Sequence, residues 1–369
     1  MAGERQPDPG FWRGRPVFLT GHTGFIGGWL AFWLARMGAQ TVGYSLPPPT
    51  KPSFFEAVGL KDLVPWIEAD IRDREQLAHA VASARPQILL HLAAQPLVGV
   101  AFHEPYSTFT TNVVGTLNVL EAARTADSLK AVVVFTTDKV YAETGRPRRF
   151  RENDPLGGKE PYALSKASAE FAVNAYRHSQ FMRDRPDLPL MTVRAGNIIG
   201  GGDWALDRLV PDAVRAFQSK QPLLLRMPQA IRPWQYVLDA VGGLLLLAEA
   251  ACSEPHKYSG AWNFGPTGPA SASVADVADA LVWHWGCGAS WQAAANADFP
   301  ESKNLEIDSG KAVAHLGWRP EWPLATATAQ AIAWYRSFYT GNDMREVTAE
   351  QIDVYAGNQG RPAPNLPTI

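Results

Sequence analysis

A short apolar segment that runs directly into three regularly spaced glycines most constrains the fold of this chain. Residues 15–20 have the composition of a buried strand, and Gly21, Gly24 and Gly27 follow at intervals of three. A helical pattern with apolar residues on one side begins at the third glycine. Strand, glycine turn and helix in this order indicate the phosphate-binding opening of a dinucleotide-binding fold. The glycines of such a turn allow a tight bend, close approach of a pyrophosphate to backbone amides, and packing of the helix on the strand.

Strands and helices alternate along the next part of the chain. Further apolar segments predict strands at 40–45, 66–71, 88–95, 131–135 and 191–197, with a long helical pattern over 108–125. This alternation predicts an α/β fold with a Rossmann-type, doubly wound parallel sheet. Beyond residue 200 the sequence becomes rich in Gly, Trp and Pro, which indicates a smaller, mixed C-terminal substrate domain. We expect a dinucleotide-binding domain over 1–198, to which segments near 230–262 return, a substrate domain over 199–345 and a C-terminal tail over 346–369.

Composition and charge narrow the classes of partner. The 369 residues carry a net charge of −2 without a long basic segment, so neither nucleic acid nor an anionic membrane is a predicted partner. The longest apolar run, residues 29–35, is far too short to span a bilayer, and the polar N-terminus lacks the apolar core of a signal peptide. Cys252 and Cys287 lack metal-ligand spacing. We therefore expect two reduced packing cysteines, no metal site and a cytoplasmic protein.

A row of polar residues follows the predicted strand 131–135, and it is the strongest candidate for chemistry. Thr137, Asp138 and Lys139 lie just beyond the carboxyl end of that strand, where ligands bind in open α/β sheets. Tyr162 and Lys166 lie four residues apart in a helical pattern, so their side chains project from one face. A phenol beside an ammonium can act as a base near neutral pH, because the positive charge favours phenolate.

Candidates for contact with a dinucleotide lie in the glycine turn, at later strand ends and in the catalytic row. They are Gly21, His22, Thr23, Gly24, Phe25, Ile26, Gly27, Ser45, Asp70, Ile71, Leu92, Ala93, Ala94, Tyr162 and Lys166. The acidic residue that usually binds the adenosine ribose is absent from the end of the second strand. Ser45 can take that hydrogen bond, and no Arg beside it favours a 2′-phosphate, so NAD is preferred over NADP. Asp70 is placed to meet the adenine or, alternatively, is a turn carboxylate.

Candidates for contact with a substrate lie beyond the fourth strand. They are Gln95, Asn197, Asp203, Trp204, Arg208, Arg232 and Glu301. Arg232 can clamp a phosphate with two hydrogen bonds, or it can form a surface salt bridge. Asn197 can bind a diphosphate, or it can occupy a buried strand-end turn.

The glycine spacing and the Tyr162-x-x-x-Lys166 motif together resemble the extended short-chain dehydrogenase/reductase superfamily. Within it the chain is similar to the nucleotide-sugar 4,6-dehydratases, over about residues 11–339. The similar strings are residues 20–25, 43–46, 93–98, 137–141, 194–197, 200–204, 231–235 and 260–266. Lys139 after Asp138 resembles the enzymes of that group that act on CDP-glucose, because the dTDP- and GDP-sugar enzymes carry Glu there. The chain departs from the pattern at Ile26 in the glycine loop, at 99–102, within the Tyr162 motif and at 300–304.

The resemblance implies an internal redox dehydration that turns a CDP-glucose-like sugar into its 4-keto-6-deoxy form with NAD. Tyr162 would take the proton of the 4-hydroxyl, Thr137 would hold that hydroxyl, and Lys166 would bind the nicotinamide ribose. Protonated Asp138 would donate to the leaving 6-hydroxyl. Lys139 would remove the carbon-5 proton, which requires a pKa well below the usual ~10.4. The resemblance also implies a homodimer or homotetramer, formed through the 108–125 and Tyr162 helices.

Two other functions remain open at this point. A nucleotide-sugar 4-epimerase or reductase would use Tyr162, Lys166 and Thr137 but would need no acid–base pair at positions 138 and 139. A non-catalytic NAD-binding module would need no tuned phenol.

Overall fold

The predicted strands assemble into one parallel sheet at the centre of the molecule. The computed structural model describes residues 5–142, 148–179, 185–267, 272–286, 288–294 and 305–357, so Cys287 and Glu301 lie outside the described residues. The strands are β1 (Pro16–Thr20), β2 (Gln40–Ser45), β3 (Trp66–Glu68), β4 (Ile88–His91), β5 (Ala131–Phe135), β6 (Leu190–Ala195), β7 (Ile198–Ile199), β8 (Leu223–Leu225), β9 (Ile231–Arg232), β10 (Gln235–Tyr236), β11 (Gly260–Phe264), β12 (Ala272–Ser273) and β13 (Trp291–Ala293). Seven of them form the central sheet in the order β11-β6-β5-β4-β1-β2-β3, and every neighbouring pair is parallel. This order confirms the predicted doubly wound sheet.

Both faces of the sheet are covered by an apolar core. Successive residues of a strand point to opposite sides, so each strand contributes side chains to both cores. In β1, Phe18 packs in one apolar core, whereas Val17 and Leu19 pack in the other. The helices are α1 (Pro9–Trp12), α2 (Phe25–Arg36), α3 (Phe54–Ala57), α4 (Arg74–Ala84), α5 (Val98–His103), α6 (Pro105–Phe109), α7 (Gly115–Arg124), α8 (Pro161–Arg177), α9 (Leu209–Gln218), α10 (Val237–Ser253), α11 (Pro255–Tyr258), α12 (Val274–Trp285), α13 (Gly310–Leu316), α14 (Leu324–Tyr339) and α15 (Met344–Ala356), with 3-10 turns at Leu60–Asp62 and Asp138–Val140. None of these described helices is long and apolar enough to cross a membrane.

The later part of the chain adds three small sheets and returns one strand to the central sheet. β10 pairs with β7, β12 with β9, and β13 with β8. β11 joins the edge of the central sheet in parallel with β6, and the largely buried α10 packs against α2. The division into two domains, with segments near 230–262 returning to the first, stays a prediction.

The predicted helix over 108–125 is one continuous run from α6 to α7, interrupted by a π-helical turn at Thr110–Val114. Asn112 is buried in that turn, and its amide donates to the Gln95 carbonyl and to Ser165 Oγ at 3.0 and 2.9 Å. A wider turn lets this amide reach the loop after β4 and α8 at the same time. The loop and the helix that carries Tyr162 are therefore tied together.

The tail predicted from residue 346 is wrong for the first part of that segment. Residues Met344–Ala356 form α15, in which Tyr355 is 2% exposed. Its hydroxyl donates to Oδ1 of buried Asp239 at 2.8 Å, and its ring meets the edge of Trp33. The segment is polar on average and carries only a narrow apolar face, so its composition alone did not predict a packed helix.

The Tyr355–Asp239 hydrogen bond should measurably stabilise the protein, because Asp239 lies at the start of α10 and its carboxylate is fully buried. We expect Tyr355→Phe to lower the free energy of unfolding by about 1–3 kcal/mol, since the change removes a donor from a buried acceptor. Urea unfolding followed by tryptophan fluorescence measures this. Tyr339→Phe is the control, because Tyr339 is 43% exposed. Equal midpoints for the two variants would contradict the assignment.

Candidate active site

A cleft of about 340 Å³ opens at the carboxyl ends of β4, β5 and β6. All five predicted catalytic side chains line it: Thr137, Asp138, Lys139, Tyr162 and Lys166. The fold brings these residues together. β5 ends at Phe135, two residues before Thr137, and α8 packs against the 3-10 turn that follows. The structure therefore brings the two predicted catalytic groups into one cleft.

Other candidates are divided between the cleft and its surroundings. Phe25, Ile26, Leu92 and Ala94 line the cleft on the side of the glycine turn. Asn197, Asp203, Arg208 and Arg232 line it as well. The remaining described candidates do not line it.

The glycine turn has the shape that the sequence predicted. Gly21 has φ of +80°, and a Cβ there would lie 2.6 Å from the backbone nitrogen of Ala93. A Cβ on Gly27 would collide with the carbonyl oxygen of Gly21. Around Gly24 the nearest atom to a Cβ would be 3.5 Å away, so this side is open. The turn thus packs on β4 and α2, and it leaves an open cradle at the N-terminus of α2 that fits a pyrophosphate.

The side chain of His22 packs in the core and does not face the cleft. It is fully buried against Gly43, between the ring edges of Phe55 and Trp66. Burial lowers its pKa to about 4, and neither ring nitrogen has a hydrogen-bond partner among the described residues. Any contact between His22 and a cofactor must therefore come from its backbone.

Ser45 lies beside the glycine turn, as its predicted role requires. Its Oγ is 2.7 Å from Oγ1 of Thr23, which donates to the Leu46 carbonyl at 2.9 Å. Both hydroxyls are buried. Their bond fixes the end of β2 against the turn.

Asp70 and Ile71 point away from the cleft. Both carboxylate oxygens of Asp70 accept hydrogen bonds from Arg72, so the alternative of a turn carboxylate describes it better than an adenine contact. The Arg72 hydrogen bonds lower the pKa of Asp70 against the opposing effect of burial. Ile71 packs against Gly115 of α7, where a Cβ would lie 2.5 Å from its Cδ1. β3 ends at Glu68, earlier than predicted, and these residues form the loop after it.

Gln95 is a predicted substrate contact, but its side-chain amide is hydrogen-bonded within the protein. Nε2 donates to the Leu97 carbonyl and to Thr108 Oγ1 at 3.1 and 2.9 Å. Oε1 accepts from the Leu97 backbone at 2.6 Å. The side chain closes its own loop and does not line the cleft.

Trp204 was also predicted to contact substrate, and this prediction is wrong for its ring. The ring is 7% exposed and packs against Trp334, Tyr335 and Phe338 of α14. Its apolar surface is satisfied in the core. Only the adjacent Asp203 reaches the cleft.

Thr137 joins the two catalytic groups through its hydroxyl. Oγ1 donates to Oδ1 of Asp138 at 3.1 Å. The same hydroxyl lies close enough to the phenol of Tyr162 to lower its pKa. Burial raises the pKa of Asp138 to about 6, against the opposing charge of Lys139. Oδ2 of Asp138 has no hydrogen-bond partner among the described residues. Burial thus brings the acid form of this carboxyl closer to neutral pH than in water, and its role as the acid stays a prediction.

Burial dominates the environment of Tyr162 and Lys166. Burial raises the pKa of Tyr162 to about 12, opposed by the Thr137 hydrogen bond and the charge of Arg208. Lys166 Nζ donates to the Phe135 carbonyl at 3.0 Å, and burial lowers its pKa to about 8. The lowering of the phenol pKa by Lys166 together with a cationic nicotinamide ring stays a prediction. Ionisation of the phenol near neutral pH requires a further positive charge in the cleft.

Two guanidinium groups, those of Arg208 and Arg232, also line the cleft. Arg208 Nη1 donates to Oδ2 of Asp203 at 2.8 Å, and the Asp203 backbone donates to Tyr335 Oη at 2.9 Å. Arg232 is 6% exposed and donates to the Ile231 carbonyl at 2.9 Å. Fixed guanidinium groups are suited to binding phosphate oxygens.

Sequence reasoning missed two parts of the site. Residues 223–227, which include β8, line the cleft, and Leu224 is 58% exposed there. A strand of three leucines was available as a signal, but its partner β13 is distant in sequence. Glu170, buried below Lys166 and bonded to Arg194, was also missed. Its position one helical turn after Lys166 was the available signal.

Known proteins are similar to this chain over most of its sequence. A family described as GDP-mannose 4,6 dehydratase matches residues 18–330. The chain is 42% identical over 351 residues to a CDP-glucose 4,6-dehydratase of Salmonella typhimurium, covering 94% of this chain and 98% of that relative. It is 26% identical to a dTDP-glucose 4,6-dehydratase of Xanthomonas campestris, over 86% of this chain and 92% of that relative.

Solved structures share the fold. A UDP-glucuronic acid 4-epimerase of Bacillus cereus, in complex with UDP-glucuronic acid and NAD, has a TM-score of 0.74 at 22% identity, covering 88% of this chain and 99% of that chain. A dTDP-glucose 4,6-dehydratase of Bacillus anthracis, in complex with NAD, has a TM-score of 0.72 at 20% identity, covering 90% and 99%. The family match over most of the sequence and the 42% identity to a full-length relative show that this chain belongs to the GDP-mannose 4,6-dehydratase family of extended short-chain dehydrogenases/reductases.

Proposed function

We propose that the chain is an NAD-dependent lyase that converts CDP-D-glucose to CDP-4-keto-6-deoxy-D-glucose. The observation that carries the proposal is the buried Asp138 carboxyl, placed between Thr137 and Lys139 in the cleft of Tyr162. An epimerase needs the phenol but has no use for an acid at this position. The 42% identity to a CDP-glucose 4,6-dehydratase supports the choice of nucleotide.

The residues around the glycine turn fit NAD. The open side of Gly24 would receive the pyrophosphate at the N-terminus of α2, and Ser45 would meet the adenosine ribose. Leu92, Ala94 and Lys166 line the part of the cleft beyond the turn and would hold the nicotinamide half. When bound, NAD would supply the acceptor and later the donor of the hydride that moves from carbon 4 to carbon 6, and it would bring a positive charge into the cleft.

Tyr162 starts the reaction by taking the proton of the 4-hydroxyl, which Thr137 holds. The 4-ketone that results acidifies the proton on carbon 5. Lys139 removes that proton, and Asp138 protonates the 6-hydroxyl so that water leaves. Lys139 then returns its proton to carbon 5.

Each turnover leaves Tyr162 with one extra proton and Asp138 with one too few. Transfer of that proton from Tyr162 to Asp138 restores both groups, and the substrate has then lost one water. The hydroxyl of Thr137 donates to Asp138 and lies beside the phenol, so it would provide a route for the returning proton. Asp138 is already buried before a sugar binds, so its raised pKa is a property of the protein itself.

The nucleotide half of the substrate would lie against residues that follow β6. Arg208 and Arg232 would bind the diphosphate, with Asn197 beside them. Residues 223–227 would form the wall next to the nucleoside. Residues 199–345 would thus form the substrate domain.

The face formed by α6, α7 and α8 is the proposed contact between two copies of the chain. Tyr106 is 83% exposed, Phe171 is 56% exposed and Val114 is 44% exposed, and the helices that carry them pack side by side. Exposed aromatic residues grouped on one face indicate an interface. We propose a homodimer, which could pair further into a tetramer. Cytoplasmic action is also proposed, because the two cysteines suit a reducing compartment.

A panel of nucleotide sugars tests the proposed function. Purified protein with NAD should convert CDP-glucose, in preference to UDP-, dTDP- and GDP-glucose, into a product lighter by one water, without steady accumulation of NADH. Mass spectrometry and absorbance measure these outcomes. A product of unchanged mass would instead support an epimerase, and NAD binding without turnover of any sugar would support a non-catalytic module.

Lys139→Ala should separate the two halves of the reaction. We expect transfer of hydride from carbon 4 to NAD to continue, while the rate of water elimination falls by at least about 10²-fold, because only the carbon-5 base is lost. Single-turnover mass spectrometry with deuterated substrate measures both steps. Tyr162→Phe is the comparison, and it should lose both steps. Equal loss of both steps in Lys139→Ala would remove the assignment of this residue as the base.

The dimer proposal predicts the effect of charge on the exposed aromatic face. The double variant Tyr106→Glu/Phe171→Glu should sediment as a monomer, because charged groups oppose burial of that face. Trp283→Glu is the control, since Trp283 is 82% exposed on α12, away from this face. A wild-type mass that is already monomeric, or an unchanged dimer in the double variant, would disprove the proposal.

A further inference from the structure

A buried ion pair lies directly beneath the catalytic row and takes no part in the mechanism above. Glu170 is 2% exposed and Arg194 is 4% exposed. Arg194 holds the carboxylate with two parallel hydrogen bonds, Nε to Oε1 at 2.9 Å and Nη2 to Oε2 at 2.8 Å. Burying such a pair costs desolvation that well-packed apolar residues would avoid, so stability alone is a poor explanation for it.

The pair holds both ends of the segment that carries Thr137 to Val140. At the start, Thr136 Oγ1 donates to Oε1 of Glu170 at 2.6 Å. At the end, Arg194 Nη1 donates to Tyr141 Oη at 2.9 Å. Thr136 and Tyr141 are the residues immediately before and after the segment.

The same carboxylate belongs to the helix that carries the other catalytic residues. Glu170 follows Lys166 by four residues and Tyr162 by eight, so the three share one face of α8. Thr192 Oγ1 of β6 donates to Oε2 at 2.8 Å and completes its hydrogen bonds. One carboxylate thus connects α8, the end of β5 and β6.

We propose that Glu170, paired with Arg194, is a positioning residue that fixes the 137–140 segment against Tyr162 and Lys166 and keeps the Lys166 ammonium charged. The first part rests on the proposed function, because it concerns the register between the two catalytic groups. The second part is a property of the protein alone.

The charges around Lys166 support the second part. Burial lowers the pKa of Lys166 to about 8, and the negative charge of Glu170 opposes that fall. His91 of β4 also faces Lys166, but burial lowers its pKa to about 3, so it is neutral at working pH. The Tyr162 phenol is uncharged, and Arg194 carries a positive charge that opposes Glu170 and would remain if Glu170 were neutral. Without Glu170 the ammonium would lose its proton at a lower pH.

The test of charge uses Glu170→Gln in the full chain, with lysines carrying ¹³C at Cε. We expect the NMR titration midpoint of Lys166 to fall by about one pH unit or more relative to the wild type. Thr192→Val is the matched control, since it removes a neutral partner of the same carboxylate and should leave the midpoint unchanged. An unchanged midpoint in folded Glu170→Gln would overturn the proposal. This measurement needs no substrate, so its failure is distinguishable from failure of the proposed function.

The test of register uses two single hydroxyl deletions, which also serve if Glu170→Gln does not fold. Thr136→Val and Thr192→Val each remove one hydrogen bond to Glu170 and should lower the unfolding midpoint alike. Only Thr136 adjoins the catalytic segment, so only Thr136→Val should lower kcat on CDP-glucose, by at least about tenfold with KM little changed. Equal kcat values in the two variants would overturn the positioning role.

Discussion

Removal from water is the physical constraint on which the proposed chemistry depends. Burial raises the pKa of Asp138 and Tyr162, and it lowers that of Lys166. In bulk water the Asp138 carboxyl, with a pKa of ~3.9, is almost entirely ionised near neutral pH, whereas a pKa of about 6 brings its acid form within reach. The cleft therefore shifts the pKa of all three groups before any substrate contact is made.

The parallel sheet brings the catalytic residues to one place. Every strand of the central sheet runs in the same direction, so the ends of β4, β5 and β6 open on one edge. The glycine turn at the end of β1 lies at that edge too, and α8 brings Tyr162 to it. Residues far apart in sequence meet because parallel strands share one direction.

Most of the fold could be predicted because its signals are local. The strand compositions, the glycine spacing and the order of Thr137, Asp138 and Tyr162 are all present within short segments. What failed depends on partners that are distant in sequence. Trp204 was misplaced because its ring packs on Trp334, a contact that no local pattern reveals. The amide of Gln95 was misplaced because Thr108 and Leu97 engage it.

The phenol illustrates the same difference between pattern and environment. A Tyr–Lys spacing on a helix predicts two side chains on one face, and the structure confirms that geometry. It does not predict how completely Tyr162 is buried, and burial decides the direction of its pKa shift. Glu170 was missed for a related reason, because a helical Glu has a surface position by default until its partner Arg194 is known.

Transfer of a label within the sugar tests the central claim most directly. CDP-glucose deuterated at carbon 4 should give, in a single turnover with NAD, a 4-keto-6-deoxy product that carries the deuterium on carbon 6. That result requires oxidation, elimination and reduction in one cleft. Loss of the label to solvent, or a product of unchanged mass that still carries it at carbon 4, would contradict the account.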